Sequence, residues 1–72
     1  MSKDKVVFRK FPDGDIIALF PDEIFSDGFI TSYMRIGQHS GAMKSLIDEL
    51  KPATDQESLN LKNELIQIGY NI

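Results

Sequence analysis

Apolar and polar positions alternate from the start of this chain. VVFRKF and DIIALF, both within residues 5–20, are rich in branched and aromatic side chains, and Pro12, Asp13 and Gly14 lie between them. Branched and aromatic residues favour strands, and a Pro-Asp-Gly break between two such runs predicts a β-hairpin. Proline presets φ at the second turn position, aspartate suits the third, and glycine takes the left-handed conformation that closes the bulge. If Phe11 faces Asp15, then Phe8 faces Ala18 and Val6 faces Phe20. One face then carries Val6, Phe8, Ile16, Ala18 and Phe20, which should be core. The other carries Val7, Arg9, Phe11, Ile17 and Leu19, less polar than a solvated sheet face normally is, so a cover is expected there.

The stretch PDEIFSDG, residues 21–28, reads as a turn-rich connection, with Pro21 ending the second strand and Asp27-Gly28 forming a turn. FITSYMRI, residues 29–36, alternates again and predicts a third strand. It places Ile30, Met34 and Ile36 on one face and Phe29, Thr31, Tyr33 and Arg35 on the other. GQHSG, residues 37–41, reads as a loop because two glycines bracket three polar residues. In AMKSLIDELKPA, Met43, Leu46, Ile47 and Leu50 fit a helical stripe slightly better than a strand, and Pro52 ends either element.

Thr54 followed three residues later by Glu57 is a capping box, and Asp55 adds negative charge at the positive end of the helix dipole. A helix is therefore expected from about Asp55 to Ile68, with Gly69 as its left-handed cap. Leu61, Leu65 and Ile68 form the stripe that should lie on the sheet; Leu59 and Ile66 point about 100° away. The pattern as a whole predicts one small α+β domain spanning residues 1–72. It comprises an antiparallel sheet, made of the N-terminal hairpin and one or two further strands, with the C-terminal helix packed on one face.

Composition narrows the function classes. Seventy-two residues leave room for one core, too little for a nucleotide-binding or barrel enzyme of ordinary size. Such a chain buries only about 60% of the surface it exposes when unfolded, so its stability margin should be small. There is no cysteine, hence no disulfide, zinc knuckle or redox centre built on thiols. No signal-peptide pattern or apolar run long enough to span a membrane appears, which makes the cytoplasm the expected location. Net charge is −3, with residues 1–10 contributing +3, residues 11–30 −5, residues 31–51 +1 and residues 52–72 −2. A nucleic-acid binder normally carries a basic excess, and this chain has none.

At FRKFPDGDIIALFP, SYMRIGQHSGA and PATDQESLNLKNELIQIGY the chain resembles a group of small uncharacterised proteins found in bacterial phages and plasmids. The marks are Phe8 to Gly14; Ser32, Tyr33, Gly37, Gln38 and His39; and Pro52, Ala53, Glu57, Leu61, Glu64, Leu65, Gly69 and Tyr70. The resemblance implies a mobile-element setting and no mechanism. It also implies a strand over residues 45–51, where Met43, Leu46, Ile47 and Leu50 fit a helix better.

Few residues offer chemistry. GQHSGAMKS superficially suggests a phosphate loop, but has three residues between its glycines where four are needed, and Lys44 falls two places late. His39 is the single histidine, too few for a usual catalytic zinc site. With Ser32, Tyr33, Arg35, Gln38 and Ser40 it forms the densest polar cluster, which serves either loop structure or contact with a partner. A histidine base also needs a hydroxyl and an orienting carboxylate, for which Asp48 or Glu49 would have to serve. Asp13, Asp15, Asp22, Glu23 and Asp27 match no calcium-loop spacing; they form a solvated rim or a patch that docks on a basic protein surface. Arg9 and Lys10 beside Phe8, Phe11 and Tyr33 would suit single-stranded nucleic acid, but the surrounding acids argue against it.

These readings point to a non-enzymatic phage or mobile-element accessory protein acting through protein contacts, with no cofactor, no metal and no membrane. The expected partner-binding residues are Tyr33, Arg35, Gln38 and His39, with Ile17, Leu19, Leu59 and Ile66 as an apolar surface that a homodimer would also use. The alternatives are a nucleic-acid-binding module and an acidic inhibitor of a nucleic-acid-binding host protein.

Overall fold

The N-terminal hairpin folds around its turn chemistry in the computed structural model, which describes residues 4–34 and 38–72. The Phe11 amide donates to the Asp15 carbonyl at 2.8 Å and the Gly14 amide to the Phe11 carbonyl at 2.9 Å. Asp13 Oδ1 accepts from the Asp15 amide at 3.0 Å, and Gly14 takes φ 99°. Strand β1 (Val7–Lys10) pairs antiparallel with β2 (Ile16–Ser26), with Phe8 opposite Ala18 as the alternation predicts.

Beyond Phe20 the chain departs from expectation, because Pro21 does not end β2. The strand runs on for 11 residues to Ser26, and pairing with β3 (Phe29–Met34) shifts register between Phe20 and Ile24 and again between Ile24 and Ser26. Proline cannot donate to a ladder, so a strand that contains one accommodates it at such irregularities. Asp27-Gly28 makes the turn, with Gly28 at φ 83°.

Residues 38–41, expected as loop, fall with Ala42 in strand β4 (Gln38–Ala42), paired antiparallel with β3 from Met34↔Gln38 to Ile30↔Ala42. The Ser32 hydroxyl donates to the Ser40 carbonyl at 2.9 Å. Gly41 reflects packing here rather than a turn: a Cβ at that position would lie 2.9 Å from the Phe25 ring and 3.2 Å from Phe29 Cβ.

The segment whose pattern was ambiguous does both things. Leu46–Glu49 forms the short helix α1, and Lys51–Pro52 forms a two-residue strand β5 on the far side of β1, with Lys10 opposite Lys51. The sheet order is β4-β3-β2-β1-β5. Helix α2 (Asp55–Gln67) carries the complete Thr54/Glu57 capping box. Its C-terminus closes with the two hydrogen bonds of a Schellman turn, Gly69 N–H to the Ile66 carbonyl at 3.1 Å and Tyr70 N–H to the Leu65 carbonyl at 3.0 Å, around Gly69 at φ 117°.

Both sheet faces carry a core. On one, Ala18, Phe20 and Tyr33 pack with Leu61 and Leu65 of α2. On the other, Ile17, Leu19, Ile30 and Ala42 pack with Phe11, Met34, Leu46, Ile47 and Leu50. Ile17 and Leu19, expected as a partner surface, are therefore 4% and 0% exposed; the α1 segment is the cover their face called for. Ile68 also leaves its expected place and is 52% exposed. The helix stops one residue earlier, and the Schellman turn swings Tyr70 and Ile72 against the core instead.

Two adjacent bases on β1 tie down the two covers, since neighbouring strand residues point to opposite faces. Arg9 Nε donates to the Ile47 carbonyl at 2.8 Å. Lys10 Nζ meets Glu57 Oε2 at 2.5 Å, joining β1 to the capped end of α2. Among the described residues no helix is long and apolar enough to cross a membrane.

Because Leu19 has no exposed surface, Leu19→Ala should lower stability by about 2–5 kcal/mol in urea unfolding. The Glu57 carboxyl titrates below its ordinary value of 4.5, chiefly through its hydrogen bond from Lys10 and secondarily that from Thr54. A depressed folded-state pKa gives stability that is present above the unfolded value and lost as pH falls through the folded one. The stability difference between wild type and Lys10→Met should thus be present at neutral pH and vanish once Glu57 is protonated, as measured by urea unfolding across the acid range.

Candidate functional site

The sheet brings two of the expected residues directly together. Tyr33 of β3 and His39 of β4 are register partners, and their rings meet edge to face with centroids 4.6 Å apart. The Tyr33 ring is buried and its hydroxyl donates to Glu64 Oε2 of α2. His39 is exposed. A third ring arrives from the far end of the chain: the Schellman turn lays Tyr70 on Phe20, stacked at 4.8 Å, with its hydroxyl 3.1 Å from His39 Nε2.

The tail that carries Tyr70 is held by the N-terminal segment. The Asp4 amide donates to the Asn71 carbonyl at 2.8 Å, and the Asn71 amide donates to Asp4 Oδ2 at 3.0 Å. Between these parts opens a shallow depression of about 510 Å³ lined by Asp4, Tyr33, His39, Ile68, Gly69 and Tyr70. Burial raises the Tyr70 phenol above its ordinary value of 10.0, and the negative charges of Glu23 and Asp4 push the same way. This is opposite to the activation a phenol nucleophile needs. Two carboxylates at the cluster are already engaged: that of Glu64 accepts from Tyr33 and that of Asp4 from the Asn71 amide. The arrangement presents aromatic surface and negative potential in an open concavity. Among the described residues no group of three or more histidine or acidic side chains is placed to hold a metal ion.

The remaining expected residues do not join this cluster. Leu59 and Ile66 are exposed on the outer side of α2, Ile17 and Leu19 are core, and Arg35 and the side chain of Gln38 lie outside the described residues. Arg9 and Lys10 are engaged inside the fold, and Phe8 packs against the core, so the base-and-aromatic platform considered for nucleic acid does not form.

A second surface was missed by the sequence reading. The far end of the β2–β3 hairpin carries Ile24, Phe25 and Phe29, which are 71%, 52% and 42% exposed, amid the exposed acids Asp22, Glu23 and Asp27. Phe25 and Phe29 both lie over Gly41, which is two positions from His39 along β4 and therefore on the same face. The signal was present: Asp27-Gly28 between IFS and FIT is the two-residue hairpin pattern. Pro21, taken as a strand end, concealed it.

A raised folded-state pKa gives stability that is complete below the unfolded value and lost as pH rises through the folded one. Tyr70→Phe, which has nothing to ionise there, should lose less thermal stability than the wild type as pH rises into the alkaline range. Ultraviolet titration should show the ionisation of Tyr70, raised above its ordinary value in the wild type, missing from that variant. No protein-family model, no curated protein and no solved structure matches this chain.

Proposed function

We propose that this is a non-enzymatic accessory protein of a mobile element, working in the cytoplasm by holding another protein. The observation that carries the reading is the hairpin apex, where two half-exposed phenylalanines, Phe25 and Phe29, lie together over Gly41 and the more exposed Ile24 adjoins Phe25 in the chain. A contiguous apolar surface on so small a protein marks an interaction site more often than an accident of packing. Aromatic side chains are also the residues that most often anchor protein interfaces.

The charge around the apex sets the kind of partner. Asp22, Glu23 and Asp27 are exposed beside it, which favours a partner with a basic rim and steers its approach. The same observation supports the second reading, an acidic inhibitor of a host protein whose nucleic-acid-binding face is basic. A nucleic-acid-binding role draws no support, because Arg9 and Lys10 are occupied within the fold and the exposed apex repels phosphate. A homodimer through the expected surface loses Ile17 and Leu19 and keeps only Leu59 and Ile66.

Affinity capture from the native host, run in parallel with wild type and Phe25→Ser/Phe29→Ser, tests the proposal. A partner retained by the wild type should be lost by the variant while the variant's thermal midpoint stays close to that of the wild type. Equal capture by both proteins would overturn the reading. Light scattering of the purified protein reports self-association separately, a mass near twice 8.2 kDa marking a second copy as the occupant.

A further inference from the structure

We infer that the depression between Tyr70, His39 and Asp4 receives a lysine or arginine side chain of the protein partner. This deepens the protein-contact reading and rests on it, naming the chemistry of one anchor.

Three observations converge on a cation. The walls are aromatic: Tyr70 and His39 present rings with centroids 6.1 Å apart, backed by the buried Tyr33 ring 4.6 Å from that of His39. Ring faces attract ammonium and guanidinium groups through their quadrupoles, most strongly where the cation is partly desolvated. The potential is negative: Asp4 lines the hollow, and the charges of both Asp4 and Glu23 act on the Tyr70 hydroxyl. Among the described residues, no lysine or arginine lines it.

The hollow suits a side chain better than a free metabolite. It is open on one side, so a long alkyl stem can lie along Ile68 while its charged head reaches the rings and the carboxylate. It also shares a sheet face with the apex through His39 and Gly41 of β4. Glu23 belongs to the apex segment and is felt at Tyr70, so a partner seated on Phe25 and Phe29 brings its basic rim towards the depression.

The test is an NMR titration of the full chain with N-acetyl-L-arginine amide and N-acetyl-L-lysine amide. The N-acetyl amides of citrulline and norleucine, which match them in shape without charge, serve as controls. The cationic probes should shift the resonances of Tyr70, His39 and Gly69, and added salt should weaken the effect. Glu23→Gln, at an exposed position away from the lining, should weaken binding by about two- to fivefold with the fold unchanged. Equal shifts from charged and neutral probes, or none from the charged ones, would overturn the inference. That failure is distinct from failure of the protein-contact reading, which the capture comparison decides on Phe25 and Phe29, outside the depression.

Discussion

The structure depends on a single strand that is buried on both faces. Ile17, Ala18, Leu19 and Phe20 are consecutive in β2 and all four are buried. Alternate side chains on a strand point to opposite faces, so four consecutive buried residues require two covers. A chain of 72 residues does not have two long helices to spend on them. It uses the 13 residues of α2 on one face and little more than a turn of helix on the other. Burying each large apolar side chain contributes about 1.5–3 kcal/mol, whereas an exposed ion pair such as Lys10–Glu57 is screened by water and salt and contributes far less. Burial therefore holds the covers on, while Arg9 and Lys10 chiefly fix where they sit.

That economy explains which surfaces remain free. Both covers lie over the part of the sheet where β1, β2 and β3 run side by side. Past Pro21, β2 continues beside β3, while β4 accompanies β3 only as far as Ile30↔Ala42, and Ile24, Phe25 and Phe29 stay exposed there. Gly41 lets the Phe25 ring rest on the β4 backbone, which gives this end of the hairpin some support without hiding it. At the other end of the same face the Schellman turn places Tyr70 over Phe20, and the cover ends at His39. The depression is the margin of the α2 core, just as the apex is the part of the sheet beyond it.

The parts of the fold legible in the sequence are those encoded over a few residues. Pro12-Asp13-Gly14 fixed the register of the first hairpin, and Thr54, Glu57 and Gly69 marked both ends of α2. Elements whose state depends on distant partners were not legible. Gln38–Ala42 has the composition of a loop and becomes a strand because β3 offers it a ladder. Residues 46–52 have a helical pattern, but β1 has an open edge that recruits Lys51 and Pro52. Ile17 and Leu19 looked like spare surface because their cover has so few residues. The site was half legible for the same reason: Tyr33 and His39 are close in sequence, whereas Tyr70 comes from 31 residues beyond His39.

The acids of the apex bear on what can occupy it. An exposed apolar hairpin invites edge-to-edge pairing with another copy, and charged residues beside it are a usual protection. Asp22, Glu23 and Asp27 give each apex three like charges, so two copies meeting apex to apex would bring six together with no base among the apex residues to offset them. A basic partner meets the opposite situation, since the same three charges draw it in and the phenylalanines then supply apolar contact. One set of carboxylates therefore disfavours self-association and favours a basic protein. That asymmetry supports the proposed contact with a different, basic protein over a symmetric dimer at the apex.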